Sequence, residues 1–242
     1  RPFAGIHRAT APAMNPNVRS CLILCVLSGI ADSTWSGTVI AAFVLISSGN
    51  NTTVGLIEAA QGLSTLLFAL PIGWAADKWS RSGIIAIGGL LSILAAAGTS
   101  FTVVSIARQD GLSTDWTYLL LAIMSGWGLV GGVISGPAQA LYADSIPTGE
   151  RSIWYVYLFA AYIISSAVGP AIAVGIFYFT ADDWTLAQLR VVILIGMAFE
   201  VATGLVMFTF RDSAALDEQS EAITAAEAAS APASAPSATA HG

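Results

Sequence analysis

The residues of this chain that could do chemistry are five polar side chains set deep in long apolar stretches: Asp32, Glu58, Gln61, Gln139 and Glu200. An ionised group at such depth in hydrocarbon costs roughly 2.5 kcal/mol or more, so each carboxyl must face a cavity or a partner, or take up a proton. At helical spacing, Asp32 shares a face with Ser33, Ser36 and Ile40, and Trp35 lies beside it. Glu58 shares one with Gln61, Gly62 and Thr65. These two polar stripes are expected to meet across a central cavity, with Gln139 adding an amide. Two readings stand for Asp32: it binds a solute or proton, or it makes a structural hydrogen bond to a neighbouring helix. Glu58 lies less than two turns from the end of its stretch and can also snorkel to water. For Glu200, in the last stretch, a functional and a structural reading also stand. No Lys or Arg lies deep in any stretch, so a cavity lined this way repels anions and favours a neutral or cationic solute.

Other chemistry is poorly supplied. The two His residues, His7 and His241, sit in the end segments, and Cys21 and Cys25 lie one helical turn apart, where packing is the expected role. Neither a metal-ligand cluster nor a nucleophile and base pair is visible, so no enzyme, cofactor or metal is expected. A net charge of −6 carries no nucleic-acid footprint.

The elements that must position these residues are six apolar stretches, Val18–Ser47, Val54–Ala76, Gly83–Ala107, Tyr118–Ala143, Ile153–Thr180 and Val191–Phe210. Each is long enough to cross a hydrocarbon layer of about 30 Å at about 1.5 Å per helical residue. Charged residues make up 10% of the chain, against about 25% in soluble domains, and mean hydropathy is +0.74. The expected fold is all-α: a polytopic membrane protein with a six-transmembrane-helix bundle in the lipid bilayer. The domain organisation is a basic N-terminal arm over 1–17, the six-helix domain over 18–211, and a tail over 212–242. That tail turns acidic, then Ala/Ser/Pro-rich, and is expected to be largely disordered.

Positive charge sets the orientation. With the N-terminus inside, Arg1, Arg8, Arg19, Lys78, Arg81, Arg151 and Arg211 lie on the cytoplasmic side, against Arg108 and Arg190 outside. Both termini are therefore expected in the cytoplasm. The short connections make neighbouring spans antiparallel, and helices in lipid pack closely at small residues. In the fourth span Gly128, Gly132 and Gly136 recur at every fourth position, which predicts a central, closely packed helix.

Between the second and third spans runs Gly73-Trp74-Ala75-Ala76-Asp77-Lys78-Trp79-Ser80-Arg81-Ser82. Asp77 and Arg81 are four apart in the acid-first order and can pair if the turn is helical, forming a breakable latch on the cytoplasmic face. The other reading is a charged turn that only enforces topology. Asp144 and Arg151 flank Pro147 and Gly149 in the next cytoplasmic loop and are expected to close across that turn. In the fifth span Gly169-Pro170 places a residue without a backbone donor, which allows a bend.

These segments resemble elements of the major facilitator superfamily. The loop over 73–82 is similar to its signature Gly-x-x-x-Asp-Arg/Lys-x-Gly-Arg/Lys-Arg/Lys, matching at Gly73, Asp77, Lys78 and Arg81 and departing at Ser80 and Ser82. The loop over 144–151 is similar to Asp-x-x-Pro-x-x-x-Arg, and the region around Gly169-Pro170 is similar to an element associated with antiporters. The Arg that often precedes Gly-x-Gly in the fourth span is missing before Gly126-Trp127-Gly128. The resemblance implies the N-terminal six-helix half of a twelve-helix secondary transporter, working with a second half from downstream or from another chain. It further implies alternating access for a small neutral or cationic solute. Asp32, Ser36, Glu58, Gln61 and Gln139 would then line the substrate or proton pathway. Gly73, Asp77, Lys78, Arg81, Asp144 and Arg151 would form the gate, and Gly128, Gly132, Gly136, Gly169 and Pro170 would serve packing and bending. The alternative is a transporter-derived membrane subunit that no longer transports and has a structural or assembly role.

Overall fold

The computed structural model describes residues 14–108, 115–133, 135–180 and 184–216. Residues 1–13, 109–114, 134, 181–183 and 217–242, and the side-chain surroundings of Gly132, lie outside the described residues.

Long apolar runs punctuated by capping residues give helices throughout, and no strand occurs among the described residues. Asn15 caps α1 (Pro16–Trp35) by accepting from the Asn17 backbone, with Pro in the first turn where its missing donor does no harm. The first expected span is broken: Gly37 takes φ of 58°, a backbone state that disfavours other residues, and α2 (Thr38–Ser48) starts there. Asn50 then caps α3 (Asn51–Lys78), which runs on through Pro71. It is followed by α4 (Arg81–Arg108), α5 (Asp115–Val133) and α6 (Ser135–Ala143). The fifth span is also broken, into α7 (Arg151–Ser166) and α8 (Val168–Thr180). Pro170 has no N–H to offer the carbonyl four residues back, and the chain tightens at Ala167. A capping box of Thr185 and Gln188 opens α9 (Leu186–Met207).

Five stretches of the described residues are long and apolar enough to cross a membrane: Pro16–Ser48, Asn51–Lys78, Arg81–Ala107, Arg151–Thr180 and Leu186–Met207. The remaining expected span, over 118–143, falls on α5 and α6.

The helices form an arc. α9 packs between α1 and α4, α5 packs between α4 and α3, and α7 with α8 packs on the other side of α1. This leaves α3 and α7–α8 at the two ends of the arc. Only 11% of each of their apolar windows is buried, against 39–44% in the other three. Two apolar clusters fill the interior, one around Trp35, Phe43, Leu121 and Ile193 and the other around Ile85, Leu141, Tyr142 and Ile146.

Close backbone approach holds the arc together, as lipid-embedded packing requires. A Cβ on Gly204 of α9 would lie 2.8 Å from the Gly89 carbonyl of α4, and one on Gly196 would lie 2.6 Å from the Trp35 Cβ. At the described glycines of the fourth span the close approaches are not those the every-fourth-residue pattern predicts. A Cβ on Gly136 would meet open space and one on Gly128 only the Ala95 Cβ at 3.9 Å, whereas one on Gly126 would lie 2.9 Å from Ser64 of α3 and one on Gly131 3.2 Å from Ser92 of α4. Because α5 is wedged between two helices, its contacts use two faces rather than one stripe.

Candidate functional site

Asp32 sits half-buried on α1, and its Oδ2 accepts a hydrogen bond from the Tyr162 hydroxyl of α7 at 3.3 Å. The two helices come this close because Gly29 lies against the Tyr162 carbonyl, where a Cβ would be 2.7 Å away. One turn further along, Gly169 of α8 lies against the Ser33 backbone. Tyr162 is 37% exposed, so this carboxylate and hydroxyl open towards the surface of the bundle rather than being sealed in it. Both partners stand shortly before a helix break, at Ser36–Gly37 and at Ala167.

The other expected pathway residues go elsewhere. The Ser36 hydroxyl donates back to the Asp32 carbonyl at 2.6 Å, and Ser36 lines a cavity of about 340 Å³ with Pro170, Phe177 and Trp184. Glu58 is exposed in an open groove of about 570 Å³ between α2 and α3, with Gly37, Thr38 and Asn51. Gln61 is buried, its amide donating to Ser125 of α5 at 2.8 Å. Gln139 is exposed on α6, where its backbone carbonyl accepts from the Tyr155 hydroxyl at 3.2 Å. The two polar stripes therefore have separate surroundings, because the Asp32 face packs on α7 and the Gln61 face on α5. Glu200 is buried within the bundle and accepts from the Ser92 hydroxyl of α4 at 2.5 Å, cross-linking α4 and α9.

The two loops at the N-terminal end of the bundle are joined to each other. Arg81 at the start of α4 forms an ion pair with Asp144 just after α6. The expected Asp77–Arg81 and Asp144–Arg151 pairs do not form. α3 ends at Lys78 and a new helix begins at Arg81, so Asp77 and Arg81 never share a turn. Arg151 instead donates to the Ile146 carbonyl at 3.4 Å, while Gly149, at φ of 109°, turns the chain between them. Lys78 lies 4.8 Å from the centre of the Trp74 ring. Asp77 is exposed, and a Cβ on Gly73 would meet nothing within 4 Å.

Sequence reasoning missed the segment that closes this end. After α9 the chain folds back as a short 3-10 turn, Asp212–Ala214. Asp212 accepts from the Ser80 hydroxyl at 2.6 Å, the Ser82 backbone at 2.9 Å and the Ser82 hydroxyl at 2.9 Å, so it caps α4 from a distant part of the chain. Desolvation alone would raise its pKa, but these hydrogen bonds and the nearby Arg81 charge outweigh it and hold the carboxyl below its ordinary value. Asn17 is fully buried, and its side chain bonds both the N–H and the carbonyl of Arg211, at 3.0 and 2.9 Å, and the Ser145 hydroxyl at 3.0 Å. Leu216 donates to the Asp144 carbonyl at 2.7 Å. The available signals are an Asn inside the first helical turn and an acid directly after the last span. Composition places both in the flanking segments, which hides their role.

The family model described as Major Facilitator Superfamily matches residues 22–238. An uncharacterised transporter of Buchnera aphidicola subsp. Acyrthosiphon pisum is 27% identical over 168 residues, which cover 65% of this chain and 38% of that protein. The class G tetracycline resistance protein of Vibrio anguillarum is 27% identical, and the class D protein of Salmonella ordonez 29% identical. Each of these matches spans 118 residues, 49% of this chain and 27% of the relative. The chain thus spans well under half the length of these relatives. No solved structure matches. On the family match and the run of apolar helices, the chain is an integral, multi-pass membrane protein that belongs to the major facilitator superfamily.

Proposed function

We propose that this chain is one six-helix half of a secondary transporter, moving a small neutral or cationic solute by alternating access against a second half. The observation that carries this reading is the Asp32–Tyr162 pair, a carboxylate and a hydroxyl at membrane depth that stay open to the bundle surface next to two helix breaks. A purely structural acid is better served by sealing, as at Glu200. Asp32 is the group that takes a cation or a proton, and Tyr162 orients it. The second half covers the side of the arc between α3 and α7–α8, whose sparse burial supports a partner there.

The Arg81–Asp144 pair and the Asp212 cap hold the N-terminal end of the bundle together as a unit. Exposed Asp77 is free to engage the second half when that end closes. This end faces the cytoplasm, as the distribution of Lys and Arg favours. The test is uptake in proteoliposomes: Asp32→Asn lowers uptake or abolishes its pH dependence. Wild-type uptake at every pH in that variant removes Asp32 from the pathway.

A further inference from the structure

At the N-terminal end of the bundle, α1 and α9 leave a crevice of about 430 Å³ lined by Met14, Arg19, Ser20, Ile23, Val206, Thr209 and Arg211, among others. Its polar and apolar parts are stacked in order of depth. Arg19 lies in the first turn of α1 and Arg211 lies just past α9, both exposed. Below them the Ser20 and Thr209 hydroxyls bridge α1 and the turn after α9 at 2.7 Å. Ile23, about 6 Å deeper along α1 than Arg19, and Val206 form the lower wall. The crevice opens outward, since Ile23, Val26, Leu205 and Phe208 are all exposed large apolar side chains.

Among the described residues neither guanidinium has an ion-pair partner, the one pair being Arg81–Asp144. Among the described residues no acid lines the crevice, and Asp212, next in sequence to Arg211, turns its carboxylate away onto Ser80 and Ser82. Arg211 is also held in place: buried Asn17 bonds both its backbone N–H and its carbonyl. Two guanidinium groups without an ion-pair partner among the described residues, set above two hydroxyls and an apolar slot, match a phosphate with a hydrocarbon chain beneath it.

We propose that this crevice binds an anionic membrane phospholipid, its phosphate between Arg19 and Arg211 and an acyl chain along Ile23 and Val206. The site faces the bilayer and does not depend on the transport reading above.

The test uses the full chain purified in neutral detergent. Native mass spectrometry titrates it with dioleoyl phosphatidylglycerol, with dioleoyl phosphatidylcholine and with inorganic phosphate. Tighter retention of phosphatidylglycerol than of phosphatidylcholine is expected. Arg19→Gln and Arg211→Gln should each weaken it about fivefold, the factor for about 1 kcal/mol per basic residue at a membrane surface. The double variant should lose the preference, while Arg190→Gln, at the opposite end of α9, keeps it. Equal retention of the two lipids by the unaltered chain overturns the proposal, as does a preference that survives in the double variant. Displacement of phosphatidylglycerol by inorganic phosphate at equal concentration overturns it too, because the site would then take a soluble anion.

Discussion

Arg81 and Asp144 pair across the N-terminal end of the bundle and join the start of α4 to the loop just after α6. Each belongs to a loop whose spacing predicts an internal pair, and each finds its partner in the other loop. The end of the bundle is therefore tied between helices rather than within turns. Both side chains are about a third or more exposed, at 34% and 42%, so the pair's coupling should be modest, about 1 kcal/mol at most. A double-mutant cycle with Arg81→Gln and Asp144→Asn, read by thermal unfolding in detergent, measures it. Zero coupling would show that the two charges act independently.

The Asp212 cap predicts a stability term with a defined pH sign. Its carboxyl titrates below the ordinary 3.8, so its contribution is complete at pH above 3.8 and disappears as pH falls through the lowered value. Asp212→Asn should melt below the unaltered chain at neutral pH, and the two curves should converge in acid. A gap that stays constant down to the most acidic pH tolerated would rule out a role for the ionised carboxylate.

Asn17→Ala should destabilise the protein by about 1–3 kcal/mol, because the buried Asn17 amide is the side-chain partner of both backbone groups of Arg211 and of the buried Ser145 hydroxyl. Ser20→Ala removes one hydroxyl contact and should do less. Chemical or thermal denaturation in detergent separates them, and equal losses would mean that Asn17 is not the organising residue.

Glycine substitutions test the packing directly. A Cβ on Gly169 would strike the Ser33 backbone, which no rotamer change relieves, and overpacking of this kind costs about 1–3 kcal/mol. Gly136→Ala has open space and should be neutral or slightly stabilising. Similar melting temperatures for Gly169→Ala and Gly136→Ala would contradict the α1–α8 contact.

The helices are legible in the sequence because apolar runs of bilayer length have few other solutions, and the family match agrees with the resemblance carried by the loops. The breaks are harder to read. Gly37 stands between Ser36 and Thr38, and although Ser-Gly can mark a turn, the apolar runs on both sides read through it as one span, so its positive φ comes to light only in the structure. The partners at the site are not readable at all. Spacing along a helix says which residues share a face, as for Asp32 and Ser36, but which helix that face meets is decided by tertiary packing. Asp32 thus finds Tyr162, 130 residues away, and Ser80 and Ser82, which depart from the family's loop pattern, become the donors to Asp212.

Water access at Asp32 is the most direct measurement of the central claim. In a background of Cys21→Ser and Cys25→Ser, single cysteines replacing Asp32, Tyr162 or Glu200 are exposed to a membrane-impermeant thiol reagent in proteoliposomes. The account predicts labelling at positions 32 and 162 and none at 200. Labelling at position 32 as slow as at position 200 would contradict it.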